Sequence, residues 1–204
     1  VYYRWTVRKL NIHGSQEDVA GFVLFGKQMT TLGFFQLASG QIDQLLLWHF
    51  TTPATLAIYA LALAPVREVQ NLLNNFLSIL FPKIAAKSEE EVHKMLPTRI
   101  KQMVLISCFI TLLYIIAVPF LFKYLFPKYL ASVFVSQVLA LTIIFQSKGV
   151  IDVFFTAHGQ IAKRAQTILL SQAIQFALLF TLIPFFGLWG AVAATLLSEL
   201  FAGA

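Results

Sequence analysis

Long uninterrupted runs of apolar residues constrain this chain more than any other feature. Six can be read, at about residues 25–50, 54–82, 103–125, 129–157, 165–185 and 187–203. About 20 residues of α-helix cross the ~30 Å hydrocarbon core of a bilayer. The runs lack the in/out alternation of barrel strands, so only helix can close their backbone hydrogen bonds in lipid. Charged residues are 12% of the chain, against roughly 25% in a soluble domain. The expected fold is therefore an all-α membrane protein, a bundle of about six transmembrane helices. The second run, some 40 Å long as a helix, should tilt or enter the interface.

Lys and Arg concentrate in alternate connections. Arg4, Arg8, Lys9 and Lys27 precede or open the first run, Lys83, Lys87, Lys94, Arg99 and Lys101 separate the second and third, and Lys163 and Arg164 separate the fourth and fifth. The connections around Thr51–Pro53 and Pro184–Gly187 carry none, and that around Pro127 carries Lys123 and Lys128. Positive loops stay inside, so both ends of the chain are expected in the cytoplasm. The net charge of +6 then reports topology, and no nucleic acid is expected as a partner. The 82–102 connection also holds Glu89–Glu91 and reads as a solvated amphipathic turn. External connections are too short for an extracellular catalytic domain.

Ionisable groups inside a span cost about 2.5–3.5 kcal/mol, so each needs a partner, a wet cavity or a function. In the first run Gln36, Gly40 and Asp43 share a helical face. Asp43 reads either as a cation or proton site, or as a structural hydrogen bond to a neighbouring helix. In the second run Arg67, Asn71, Asn74 and Ser78 fall within an arc of about 60°, with Glu68 and Asn75 at its edge. This stripe must face a water-filled path or another helix. Pro65 should kink the helix just before it.

Lys148 and Asp152, spaced i, i+4, can pair on one face, or Lys148 can snorkel or contact an anion. Gln172 and Gln175 share a face, as do Ser107, Thr111 and Tyr114; each set can line a path or bond between helices. Gly190, Ala194 and Ser198 form a small-residue track for close packing. Trp5, Trp48 and Trp189 read as interface anchors.

Enzymatic signals are lacking: no nucleophile elbow, P-loop, zinc spacing or dinucleotide fingerprint occurs. His13, His49, His93 and His158 are isolated in sequence, and Cys108 is the single cysteine, so neither a metal site nor a disulfide framework is expected. No cofactor and no catalytic residue are expected, and the chain reads as a transporter rather than an enzyme. It starts at Val1 and stops inside an apolar run at Ala204, which reads as a fragment of a longer protein.

Four segments carry a resemblance. They are Ser39-Gly40-Gln41-Ile42-Asp43-Gln44 with the following Leu-Leu-Leu-Trp, Ala57-Ile58-Tyr59-Ala60, Leu80-Phe81-Pro82-Lys83-Ile84-Ala85, and Leu125-Phe126-Pro127-Lys128-Tyr129. In order and spacing the chain resembles the second half of a polysaccharide flippase of the multidrug/oligosaccharidyl-lipid/polysaccharide exporter superfamily. The resemblance implies a cytoplasmic linker at 1–24 followed by the C-terminal six-helix bundle at 25–204. It also implies a missing N-terminal half, giving about 12–14 helices in two halves that rock around a central cavity. The substrate implied is an undecaprenyl-pyrophosphate-linked oligosaccharide, moved from the inner to the outer leaflet. Arg67, Asn71, Asn74, Ser78, Lys148, Gln172 and Gln175 would then meet substrate, and Asp43, Glu68 or Asp152 would couple the step to a cation gradient. A drug/cation antiporter or a lipid II flippase of the same superfamily is the nearest alternative. A membrane-embedded polysaccharide polymerase or ligase, or a non-transporting scaffold, fits less well.

Overall fold

The computed structural model describes residues 40–78, 89–151 and 161–201, with single positions between 26 and 37, and excepting the side chains of 78, 89–94 and 161–164. Every element among the described residues is helical. The chain divides at Gly40 into two units. In the first, the Thr30 and Thr31 hydroxyls donate to the carbonyls of Gly26 and Lys27 at 2.9 and 2.8 Å, the back-bonding that Ser and Thr make on helices. The expected linker at 1–24 lies outside the described residues.

The second unit, Gln41–Ala204, begins with α1 (Ile42–Phe50), nine residues long. A turn at Gly40 and Gln41 interrupts the helix expected over 25–50. Of the face proposed for Gln36, Gly40 and Asp43, Gln36 lies outside the described residues. Thr51 is extended and ends α1. Its neighbour Thr52 caps α2 (Pro53–Ser78) by accepting from the Thr55 amide at 3.3 Å. Pro53 occupies the first helical position, where a missing N–H costs nothing. Pro65 lies inside α2, and its lack of an amide hydrogen leaves the Leu61 carbonyl without its usual donor.

α3 (Glu89–Leu125) is 37 residues long. The connection expected as a turn over 82–102 is thus already helical from Glu89 onward. The reason is visible in the spacing: Leu96, Ile100 and Met103 recur at four and three residues and pack on the core, so an apolar seam carries the helix past the third run's expected start. A short 3₁₀ turn (Pro127–Tyr129) leads into α4 (Ala131–Leu139), which continues as a nine-residue 3₁₀ stretch, Ala140–Lys148. Runs of 3₁₀ beyond three or four residues are uncommon and often mark hinges.

α5 (Ile161–Phe201) merges two limbs across Gly187, whose φ of 52° and ψ of −122° are not helical. A β-carbon on Gly190 would lie 2.6 Å from the Leu182 carbonyl carbon. Eight residues of straight helix would separate those positions by about 12 Å, so the limbs fold sharply back on each other at Gly187. Gly190, Ala194 and Ser198 are all buried, the close-packing track that their size suggests.

Three helices among the described residues are long and apolar enough to cross a membrane: Met95–Leu125, Ala131–Ile151 and Ala165–Phe201. The last contains two of the six expected runs. α1 is too short at about 14 Å, and α2 carries Arg67, Glu68 and its amides. The core joins Leu47 of α1, Tyr59, Val66 and Leu73 of α2, Val118 and Phe122 of α3, Leu139 and Ile143, and Leu179 and Val192 of α5. Outside it, Leu105, Phe109, Leu112, Ile116 and Phe120 of α3 are exposed. A continuous apolar face of that kind suits lipid contact rather than water.

Candidate functional site

Asp43 sits in the first turn of α1 and is only 4% exposed. The helix N-terminus favours its charge, and the Gln44 amide donates to its Oδ1 at 2.8 Å. On Oδ2 it accepts from the Tyr59 hydroxyl at 2.7 Å and from Arg67 Nη2 at 3.5 Å. Tyr59 is fully buried, and its hydroxyl lies 3.5 Å from Thr195 Oγ1. The Thr195 hydroxyl in turn donates to the Ala191 carbonyl at 2.9 Å. α1, α2 and the second limb of α5 therefore converge on one dry carboxylate. Two of its contacts are short, while that to Arg67 is at the outer limit for a hydrogen bond.

The Arg67 side chain is 35% exposed, against 6% for Asp43. It connects the dry carboxylate to an outward face on which Glu68, Asn71, Asn74 and Asn75 are exposed or half-buried. Ser78 is helical, with its side chain outside the described set. The buried face of α2 runs through Tyr59, Ala62, Val66, Leu73 and Leu77, so the polar row lies off the core and is not sealed in a dry seam.

Lys148 is paired across the bundle. Its Nζ donates to Glu199 Oε2 at 2.8 Å and also to the Glu199 carbonyl. It lies 5.3 Å from the centre of the Phe145 ring. Asp152, its expected partner, lies outside the described residues. Asn74 Oδ1 is 3.8 Å from where a Gly149 β-carbon would stand, so the amide row of α2 reaches the residue next to Lys148. Gln172 and Gln175 are half-buried; Gln172 Oε1 is buried and finds no hydrogen-bond partner among the described residues.

Several polar ties have no signature in local spacing. Gln70 Nε2 donates to Thr142 Oγ1 at 2.8 Å, linking α2 to the 3₁₀ stretch. Ser136 donates to the Ala62 carbonyl at 2.8 Å, and the Tyr114 hydroxyl lies 2.6 Å from Ser136 Oγ. Ser107 and Thr111 are buried, the latter bonded to the Ser107 carbonyl, so this side of α3 serves packing. No cluster of metal-ligating side chains occurs among the described residues. No protein-family model matches the chain, and no curated protein or solved structure matches it either.

Proposed function

We propose that this chain is part of a transporter that moves an undecaprenyl-pyrophosphate-linked oligosaccharide across the cytoplasmic membrane by alternating access. The observation that carries the reading is the position of Arg67. It makes a loose contact with the buried Asp43 on one side and heads the exposed amide row Asn71 and Asn74 on the other. Exposed amides on a helix between apolar spans are costly against lipid, and they suit a wet cavity shared with a second half of the protein.

In this mechanism the pyrophosphate draws the Arg67 fork away from Asp43, since a guanidinium matches phosphate oxygens in pairs. Asp43 keeps its bonds from Tyr59 and the Gln44 amide while Arg67 holds the substrate. Once the cavity faces outward, the substrate leaves as Asp43 takes up an external proton or cation, and release of that cation into the cytoplasm on the return lets Arg67 pair with Asp43 again. A charge crossing the membrane potential supplies about 2.3 kcal/mol per 100 mV. The amides of Asn71 and Asn74 hold sugar hydroxyls, and Lys148, held by Glu199, borders the same row.

A drug/cation antiporter is the second reading, favoured by one feature: Asp43 with Tyr59 makes an acidic, aromatic pair of the kind that takes organic cations. Full-length protein in liposomes separates the two. The flippase reading expects a fluorescent lipid-linked oligosaccharide to cross faster than in empty vesicles. It falls if that rate is unchanged while a cationic dye is expelled.

A further inference from the structure

A cleft of about 400 Å³ lies between the end of α2 and the first third of α3. Phe76, Met103, Leu105, Ile106 and Val150 give it apolar walls. Arg99 and Gln102 complete the lining, and Arg99 Nη1 donates to Gln102 Oε1 at 3.0 Å. That bond steadies one edge of the guanidinium. The two polar residues come first along α3 and the apolar ones follow, with about 10 Å of rise from Arg99 to Ile106. The span Met95–Leu125 measures about 46 Å as helix, against ~30 Å of hydrocarbon. A centred span therefore leaves about 8 Å at each end, and Arg99 falls at headgroup depth with Ile106 among the acyl chains. Lys101 is exposed beside it, in the connection richest in positive charge.

We infer that this cleft seats one anionic glycerophospholipid, with its phosphate on Arg99 and part of an acyl chain against Met103, Ile106 and Phe76. Basic pockets between spans take acidic headgroups by this charge complementarity, and the fork of an arginine grips phosphate in pairs. A neutral cleft would hold any lipid; the arginine at the polar end selects for net negative charge. The site rests on α3 spanning the membrane and is independent of the substrate proposed above.

Native mass spectrometry of the full-length protein in detergent tests it, with phosphatidylglycerol and phosphatidylcholine of equal chain length as probes. The expected result is at least a tenfold preference for phosphatidylglycerol. Arg99→Gln should bring retention down to the phosphatidylcholine level, and Ile106→Trp, which fills the cleft, should lower retention of both. Lys123→Ala, at the far end of α3, should change nothing. Circular dichroism and gel filtration confirm that each variant is folded. The inference is overturned if Arg99→Gln binds as the wild type does, or if Lys123→Ala loses as much, which would mean diffuse surface charge. It is also overturned if a polyprenyl pyrophosphate displaces phosphatidylglycerol more tightly than the lipid itself binds, which would make the cleft a substrate entry. Extraction of the protein from membranes by alkaline carbonate would instead bring down the spanning of α3.

Discussion

Tyr59 and Arg67 address the same oxygen, Asp43 Oδ2, at 2.7 and 3.5 Å, although about 12 Å of helical rise separates them on α2. Two long side chains from the same helix thus reach a short one on α1 from opposite ends. Tyr59 is buried and fixed, whereas Arg67 is part-exposed. A small axial slip between α1 and α2 would break the longer contact first and leave the shorter intact.

Tyr59→Phe removes the short bond and leaves the Asp43 carboxylate short of a donor in a dry place. A loss of about 1–3 kcal/mol of stability is expected. Thermal unfolding in detergent measures it. A cycle with Asp43→Asn should show coupling between the two positions, and additive losses would mean that the hydroxyl is not a partner of the carboxylate.

Arg67→Ala is expected to abolish flipping and to cost about 1–2 kcal/mol, less than a fully buried pair because the side chain is partly solvated. Adding Asp43→Asn should restore stability, because no unpaired charge stays buried. Transport should stay lost in the double variant. Recovery of flipping there would remove both residues from the mechanism.

Gly190→Ala places a methyl group against the Leu182 carbonyl, a backbone atom that cannot rotate aside. Overpacking of this kind costs about 1–3 kcal/mol. Gly187→Ala imposes a side chain at φ 52° and ψ −122°, a backbone region that side chains disfavour by about 1–3 kcal/mol. Both variants should unfold at lower temperature than the wild type. Wild-type stability in Gly190→Ala would show that the limbs of α5 do not touch there.

Lys148 and Glu199 are both partly exposed, so each neutral variant, Lys148→Met or Glu199→Gln, should lose less than about 1 kcal/mol. The charge-reversed pair, Lys148→Glu with Glu199→Lys, should be more stable than either reversal alone. If the double reversal is no better than the single ones, the two side chains are not in contact.

The helical character and the embedded polar residues are legible in the sequence because each is local. Apolar runs dictate helix in lipid, and Asp43, Arg67 and Lys148 stand out where charge is expensive. The pairings are not legible: Asp43 with Arg67 and Lys148 with Glu199 join residues 24 and 51 positions apart, and no periodicity encodes such distances. Tyr59 reads as one more large apolar residue on the core face of α2, and only its buried hydroxyl makes it a ligand of Asp43. The early start of α3 is hidden by charges that resemble a loop, while Leu96, Ile100 and Met103 already trace its seam.

The tightly wound stretch Ala140–Lys148 stores a specific geometric change. A 3₁₀ helix rises about 2.0 Å and turns about 120° per residue, against about 1.5 Å and 100° for an α-helix. Relaxing all nine residues would shorten the segment by about 4.5 Å and swing its lower end through about half a turn. With Thr142 anchored to Gln70, the part from there to Lys148 would swing its ammonium through about a third of a turn, away from Glu199. Such a relaxation would act as a screw that turns the cation toward different neighbours, and Glu199 is its neighbour in the tightly wound form.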